Sequence, residues 1–246
     1  MTKPLIDRIA LVTGASRGIG AAIALLLAEA GAHVVAVART TGGLEELDDK
    51  IRQAGGSATL VPLDMKDYDG IARLALALNE RYARLDVLVG NAGILGALSP
   101  LGHIEPKTWD DVMAVNLTAN WQLIRTMDPL LKRSDAGRVV FVTSGLSWMS
   151  KAYCAPYSVS KSALNMLATT YAAETASTNV RVNLFNPGPT RTRMYATGWP
   201  GVDPATLPAP ETVAPKIVPL CLPSFTESGK LYDCRADKLV SLQSPA

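Results

Sequence analysis

Apolar runs of strand length recur along this chain, at residues 8–13, 33–38, 58–62, 85–89, 138–143 and 180–185. Each is separated from the next by a segment of helical period: 19–30, 43–54, 67–82, a long stretch over about 108–131, and 156–176. Strands joined by helix-length crossovers cannot pair as hairpins, so the pattern predicts βαβ units and a parallel sheet. Runs such as ALVTG and VVFVT show no polar alternation, which is expected of strands covered by helices on both faces.

A length of 246 residues is within the reach of one hydrophobic core, and neither internal repeats nor a second domain are visible. Residues 1–246 are therefore read as one domain. From 187 to 223 the pattern is broken by prolines and by Gly188, Gly198 and Gly201. That stretch also carries Met194, Tyr195, Trp199 and Leu207, which are costly to leave solvated. A lid over about 188–222 fits better than a linker, with a Pro-interrupted helix around 212–222 and a last edge strand at 230–233. Net charge is only +2, with both signs mixed, so neither nucleic acid nor a membrane surface is an expected partner. The start, MTKPLIDR, is polar, and the longest apolar segment, 21–28, is too short to span a bilayer. Cys154, Cys221 and Cys234 have no CxxC spacing. They are read as reduced thiols in a cytoplasmic protein.

Directly after the first strand comes Thr13-Gly14-Ala15-Ser16-Arg17-Gly18-Ile19-Gly20, followed by a helix. Glycines there permit a tight turn and let backbone N–H groups approach a pyrophosphate at the helix N-terminus. In strand–turn–helix context the segment predicts dinucleotide binding. The second strand ends Val37-Ala38-Arg39-Thr40. It lacks the carboxylate that accepts from a ribose 2′-OH in NAD enzymes, whereas Arg39 and Arg17 suit a 2′-phosphate. NADP is the expected cofactor, with NAD as the alternative.

TGASRGIG resembles the cofactor motif of the short-chain dehydrogenase/reductase family. The resemblance continues through Asp64, Asn91-Ala92-Gly93, Asn116, Ser144, Tyr157-x-x-x-Lys161 and Asn186-Pro187-Gly188, covering residues 8 to about 192. It implies a Rossmann-like, doubly wound parallel sheet of about seven strands. It further implies an oxidoreductase interconverting a carbonyl and a secondary alcohol, in a homotetramer or dimer. Gly14, Ser16, Arg17, Gly18, Ile19, Gly20 and Arg39 would hold the cofactor, together with Asp64 at the adenine and Asn91, Ala92 and Gly93 beside the adenine ribose. Pro187, Gly188, Thr190 and Thr192 would lie along the nicotinamide. Where the family usually has Asn-Asn-Ala-Gly, this chain has Gly90 first, a departure expected to alter a sheet-stabilising hydrogen bond.

Tyr157 and Lys161, four apart on a helix begun by Pro156, share one face. A free phenol titrates near pH 10, and a neighbouring ammonium would bring it toward the working range. The resemblance assigns proton transfer to Tyr157, places Tyr157 and Lys161 among the cofactor-binding residues as well, and makes Lys161 a ligand of the nicotinamide ribose. It makes Ser144 the donor to the substrate oxygen, with Thr143 and Ser147 as alternatives. Asn116 would kink its helix and link Lys161 to solvent. No metal is expected, since His33 and His103 stand far apart with no ligand cluster. The substrate pocket is expected from 94–104, 146–154 and 189–208. Trp148, Met149, Met194, Tyr195 and Trp199 suggest an apolar carbonyl compound or alcohol. The rival within the class is an NAD-dependent alcohol or sugar dehydrogenase; a non-catalytic dinucleotide sensor is disfavoured by the complete Tyr–Lys–Ser–Asn set.

Overall fold

The computed structural model describes residues 3–242. Its strands are β1 (Ile9–Thr13), β2 (His33–Ala38), β3 (Ser57–Pro62), β4 (Val87–Gly90), β5 (Arg138–Val142), β6 (Arg181–Asn186), β7 (Lys230–Asp233) and β8 (Lys238–Ser241). They form one sheet in the order β3-β2-β1-β4-β5-β6-β7-β8. Every pairing is parallel except β7 with β8. The expected seven strands are thus eight, and 230–233 is not the edge, because β8 folds back antiparallel beyond it.

The crossovers are α1 (Gly18–Glu29), α2 (Thr41–Gln53), α3 (Tyr68–Tyr82), α4 (Pro106–Met113), α5 (Ala119–Arg133) and α6 (Ala155–Glu174), with a short α7 (Arg193–Gly198) after β6. The single helix expected over 108–131 is interrupted by a π-helical turn, Ala114–Thr118, between α4 and α5. The Pro-interrupted helix expected around 212–222 is a run of three short helical turns, Pro210–Val213, Ala214–Lys216 and Val218–Cys221, because successive prolines remove the donors a longer helix needs.

Alternate residues of each strand feed opposite layers, as the pleat requires. Leu11 and Val35 pack with Ile71, Leu123 and Leu164 of α3, α5 and α6. Ala10 and Val34 pack with Ile23 and Leu27 of α1 and with Ile217 and Leu220. Both layers are apolar, which accounts for strands without polar alternation. At the amino edge of the sheet, fully buried Asp86 accepts from the Ile9 N–H (2.8 Å), the Ser134 hydroxyl (2.7 Å), Arg8 (3.1 Å) and Arg84 (3.2 Å). Four donors make that buried charge tolerable. The opposite, carboxyl edge is where ligands of such sheets bind.

Candidate active site

The glycine-rich turn leaves β1 through Gly14 (φ +66°) and enters α1 through Gly18 (φ +58°), left-handed conformations that glycine adopts without strain. Gly20 is required for a different reason: a Cβ there would lie 2.3 Å from the Gly14 carbonyl oxygen. The turn is tied to β4 by Asn91, whose Nδ2 donates to the Thr13 carbonyl (2.8 Å). The Thr13 hydroxyl in turn accepts from the N–H groups of Asn91 and Ala92 (3.0 Å each). Asn91 therefore holds the shape of the turn as well as facing the cleft.

A main cleft of about 370 Å³ runs along the carboxyl edge. Around it lie Gly14, Arg17, Gly18, Ile19, Gly20, Asn91, Ala92, Gly93, Ser144, Tyr157, Lys161, Pro187, Gly188, Thr190 and Thr192. A smaller adjoining recess is lined by Ser16, Arg17, Arg39, Asp64, Ala92 and Gly93. The residues singled out in the sequence are thus brought to one continuous surface, except Asn116, which is fully buried behind it. Asp64 does not cap α3. Asp67 does, its carboxylate accepting from the Gly70 N–H at 2.8 Å. Asp64 instead stands 3.9 Å from the exposed Arg39 guanidinium and accepts from the Lys66 N–H.

At the reacting end, the Lys161 ammonium is buried and donates to the Val142 carbonyl at 2.7 Å. Burial lowers its pKa from 10.5 to about 8. Tyr157 is half-buried on the cleft wall, with the Lys161 Nζ 5.8 Å from its ring centroid. Desolvation pushes its phenol above the ordinary value, and the adjacent Ser144 hydroxyl pulls it partly back. The downward pull expected from the lysine is not what dominates in the bare chain, where burial does.

Of the three candidate hydroxyls, two are spent internally. Thr143 is hydrogen-bonded to Asn165 Oδ1 (2.6 Å), Asn165 Nδ2 donates to Ser147 Oγ (2.8 Å), and Ser147 donates to the Ser144 carbonyl (2.6 Å). Ser144 alone of the three keeps its hydroxyl hydrogen for the cleft, accepting only a longer bond from the Leu146 N–H (3.2 Å).

Asn116 occupies the π-helical turn, where asparagine is otherwise poorly placed. Its Oδ1 accepts from the Ile94 N–H (2.8 Å), and its Nδ2 donates to the Ile94 carbonyl (2.9 Å) and Ser160 Oγ (3.0 Å). The side chain pins the β4 loop to α6. Its Oδ1 and the Lys161 Nζ come within 3.3 and 3.7 Å of where a Gly93 Cβ would be, so glycine leaves the space between them open. Asn120, not singled out in the sequence, donates to the Asn116 carbonyl (2.8 Å). Its Oδ1 lies 2.4 Å from where a Gly90 Cβ would stand. The Phe141 ring comes equally close, its Cδ1 also 2.4 Å from that point, so glycine at 90 makes room for both Asn120 and Phe141.

Leu95, Leu146, Met149, Lys151, Met194, Tyr195 and Trp199 also line the cleft, all from the three segments expected to build it. Trp148 does not; it is 46% exposed. Arg235, from the β7–β8 turn, does line it and went unnoticed in the sequence, because nothing local marks a turn that returns to Gly188. Cys154 is buried and lines neither cavity.

A family model described as short chain dehydrogenase matches residues 8–201. The uncharacterized oxidoreductase YciK of Escherichia coli K12 is 36% identical over 212 residues, covering 85% of this chain and 84% of that protein. A short chain dehydrogenase from Shigella flexneri, solved in complex with NADP, superposes with a TM-score of 0.83 at 36% identity, covering 90% of this chain and 92% of the other. One from Escherichia coli CFT073, complexed with NADPH, gives 0.86 at 34% identity, covering 95% and 98%.

Proposed function

The chain belongs to the short-chain dehydrogenase family and is an oxidoreductase, and from that premise we propose that it reduces a small carbonyl compound to a secondary alcohol with NADPH, reversibly, using Tyr157 as the proton carrier. The observation that carries this reading is the convergence of Tyr157, Ser144 and Lys161 on the same cleft as the glycine-rich turn.

The residues fit a dinucleotide. Gly20 spares the turn a Cβ that would collide with its own Gly14 carbonyl, Gly14 one that would press on Asn91 and Ala92, and Arg17 and Arg39 border the recess beside it. The cofactor complexes of the Shigella flexneri and Escherichia coli CFT073 relatives support NADP over NAD. When bound, the reduced dinucleotide supplies a hydride to the carbonyl carbon. Tyr157 donates its phenolic proton to the carbonyl oxygen, and the Ser144 hydroxyl hydrogen-bonds the same oxygen and polarises it. With a pKa of about 8, Lys161 stands close to neutrality and can return a proton to Tyr157. Asn116 fixes Gly93 and Ile94 against α6, so the lysine keeps its place.

The lid over 188–222, carrying α7, would cover the substrate and exclude water, in a one-domain protein acting in the cytoplasm. Exposed Trp121 on α5 and Val159 and Met166 on α6 support burial of this face in a homo-oligomer, which gel filtration with light scattering tests. NADPH and NADH titrations of wild type and Arg39→Ala test the cofactor choice. Clear NADPH preference, lost in the variant, is expected. Equal or tighter NADH binding by the wild type would overturn NADP and favour the NAD-dependent alcohol dehydrogenase reading.

A further inference from the structure

The substrate half of the cleft has an apolar wall and one cation. Tyr195 and Trp199 pack against each other with ring centroids 4.8 Å apart, and the Lys151 Nζ sits 4.6 Å from the Trp199 centroid. No aspartate or glutamate lines the cleft among the described residues. Lys151 is paired with no carboxylate there either. The loop that carries it is held: the Tyr153 carbonyl accepts from the Ser99 N–H (3.1 Å), and Tyr153 adopts φ +70°. A cation resting on an aromatic face keeps its N–H donors free for an anion. Of the other cations lining the cleft, Lys161 is committed to the Val142 carbonyl, and Arg17 and Arg235 lie by the glycine-rich turn and Gly188, on the cofactor side.

We propose that Lys151 is a specificity-determining residue that receives a carboxylate borne by the substrate, so that the substrate class is a small apolar oxo acid and its hydroxy-acid product. This rests on the oxidoreductase reading above. The anion is placed on the substrate itself: the cleft, about 370 Å³ and open to solvent on one side, must also take the nicotinamide end of the cofactor, so the stretch between Tyr157 and Lys151 holds a compact group. Arg191 and Arg193 do not line the cleft and are not needed for this recognition.

The test compares 4-acetylbenzoate with its uncharged methyl ester, as substrates with NADPH and as ligands of the NADP⁺-loaded enzyme by calorimetry. Wild type, Lys151→Met and Lys151→Arg are measured. Lys151 is exposed in the bare chain, and one charge–charge contact at such a site is worth about threefold. Wild type should therefore favour the acid over the ester by at least about that factor in kcat/KM and in affinity. The preference should vanish in Lys151→Met through a weakened acid with the ester unchanged, and return in Lys151→Arg. Equal weakening of acid and ester would make Lys151 a lid anchor and overturn the proposal, as would a preference that survives in Lys151→Met. If neither ketone turns over, the calorimetric ratio decides in the same way. A Tyr157→Phe enzyme that still reduces either ketone at the wild-type rate would instead refute the proton-transfer reading, leaving Lys151-dependent binding standing.

Discussion

Raising the pH from 8 to 10.5 should stabilise the cofactor-free protein through Lys161. The ammonium is buried, and desolvation lowers its pKa to about 8 from an unfolded value of 10.5. Between those values the unfolded chain binds the proton and the folded chain does not, so stability rises with pH across the window and is flat in this respect below it. At about 1.4 kcal/mol per tenfold change in proton affinity, the full rise is on the order of 3 kcal/mol. Tyr157, whose phenol is raised by burial, loses stability as pH rises past its unfolded value, as do the buried thiols. These contributions oppose the lysine but are shared with Lys161→Met, which keeps the stem and lacks the titration. Urea unfolding of both proteins at several pH values isolates the lysine as the difference of their slopes. Parallel pH profiles for the two would refute the claim that burial governs this ammonium.

Tyr157→Phe should lower turnover about 10²–10⁴-fold with NADPH affinity within twofold of wild type, as read by fluorescence titration. Asp86→Ala removes the acceptor shared by Arg8, Arg84, Ser134 and the Ile9 N–H. It should cost about 3–5 kcal/mol in urea unfolding, with cofactor contacts untouched. Gly20→Ala places a methyl carbon 2.3 Å from the Gly14 oxygen, so the turn must shift. A loss of about 1–3 kcal/mol and weakened NADPH binding with an unchanged far-UV spectrum are expected, and wild-type affinity would contradict the steric argument.

The strands of the parallel core are legible in the sequence because both faces are buried and apolar runs announce that directly. The turn after β1 is legible because glycine is the residue its backbone tolerates. Elements without such a mark are not. β8 is four residues long and half-exposed, and it is reached through a turn, Cys234–Asp237, whose left-handed residue is Asp237 (φ +52°) and not a glycine. That turn is held by Asp233, which accepts from the Arg235 N–H (2.8 Å), and by Tyr232 and Lys216 on Asp237. The π-helical turn leaves no mark on hydrophobic period beyond one ill-placed asparagine. Asn120 reads as an ordinary helix residue until Gly90 is seen opposite it, and Lys151 as any exposed charge until its ammonium is seen over the Trp199 ring at the cleft. For the π-helical turn, Asn120 and Lys151 the missing information is a contact between residues remote in sequence; for β8 it is a local turn that lacks the usual glycine mark.

The irregular turn at Ala114–Thr118 ties the chemistry to the packing. An extra residue there advances the rotational phase of everything that follows by about 100°. Leu123, Met127, Leu130 and Leu131 of α5 are buried in the core in that advanced phase. Excising one residue to give a regular helix would carry Asn116 off Ile94 and Ser160 and, by the same rotation, swing the apolar stripe of α5 toward solvent. Loss of the site by smoothing this helix would therefore be accompanied by loss of the fold.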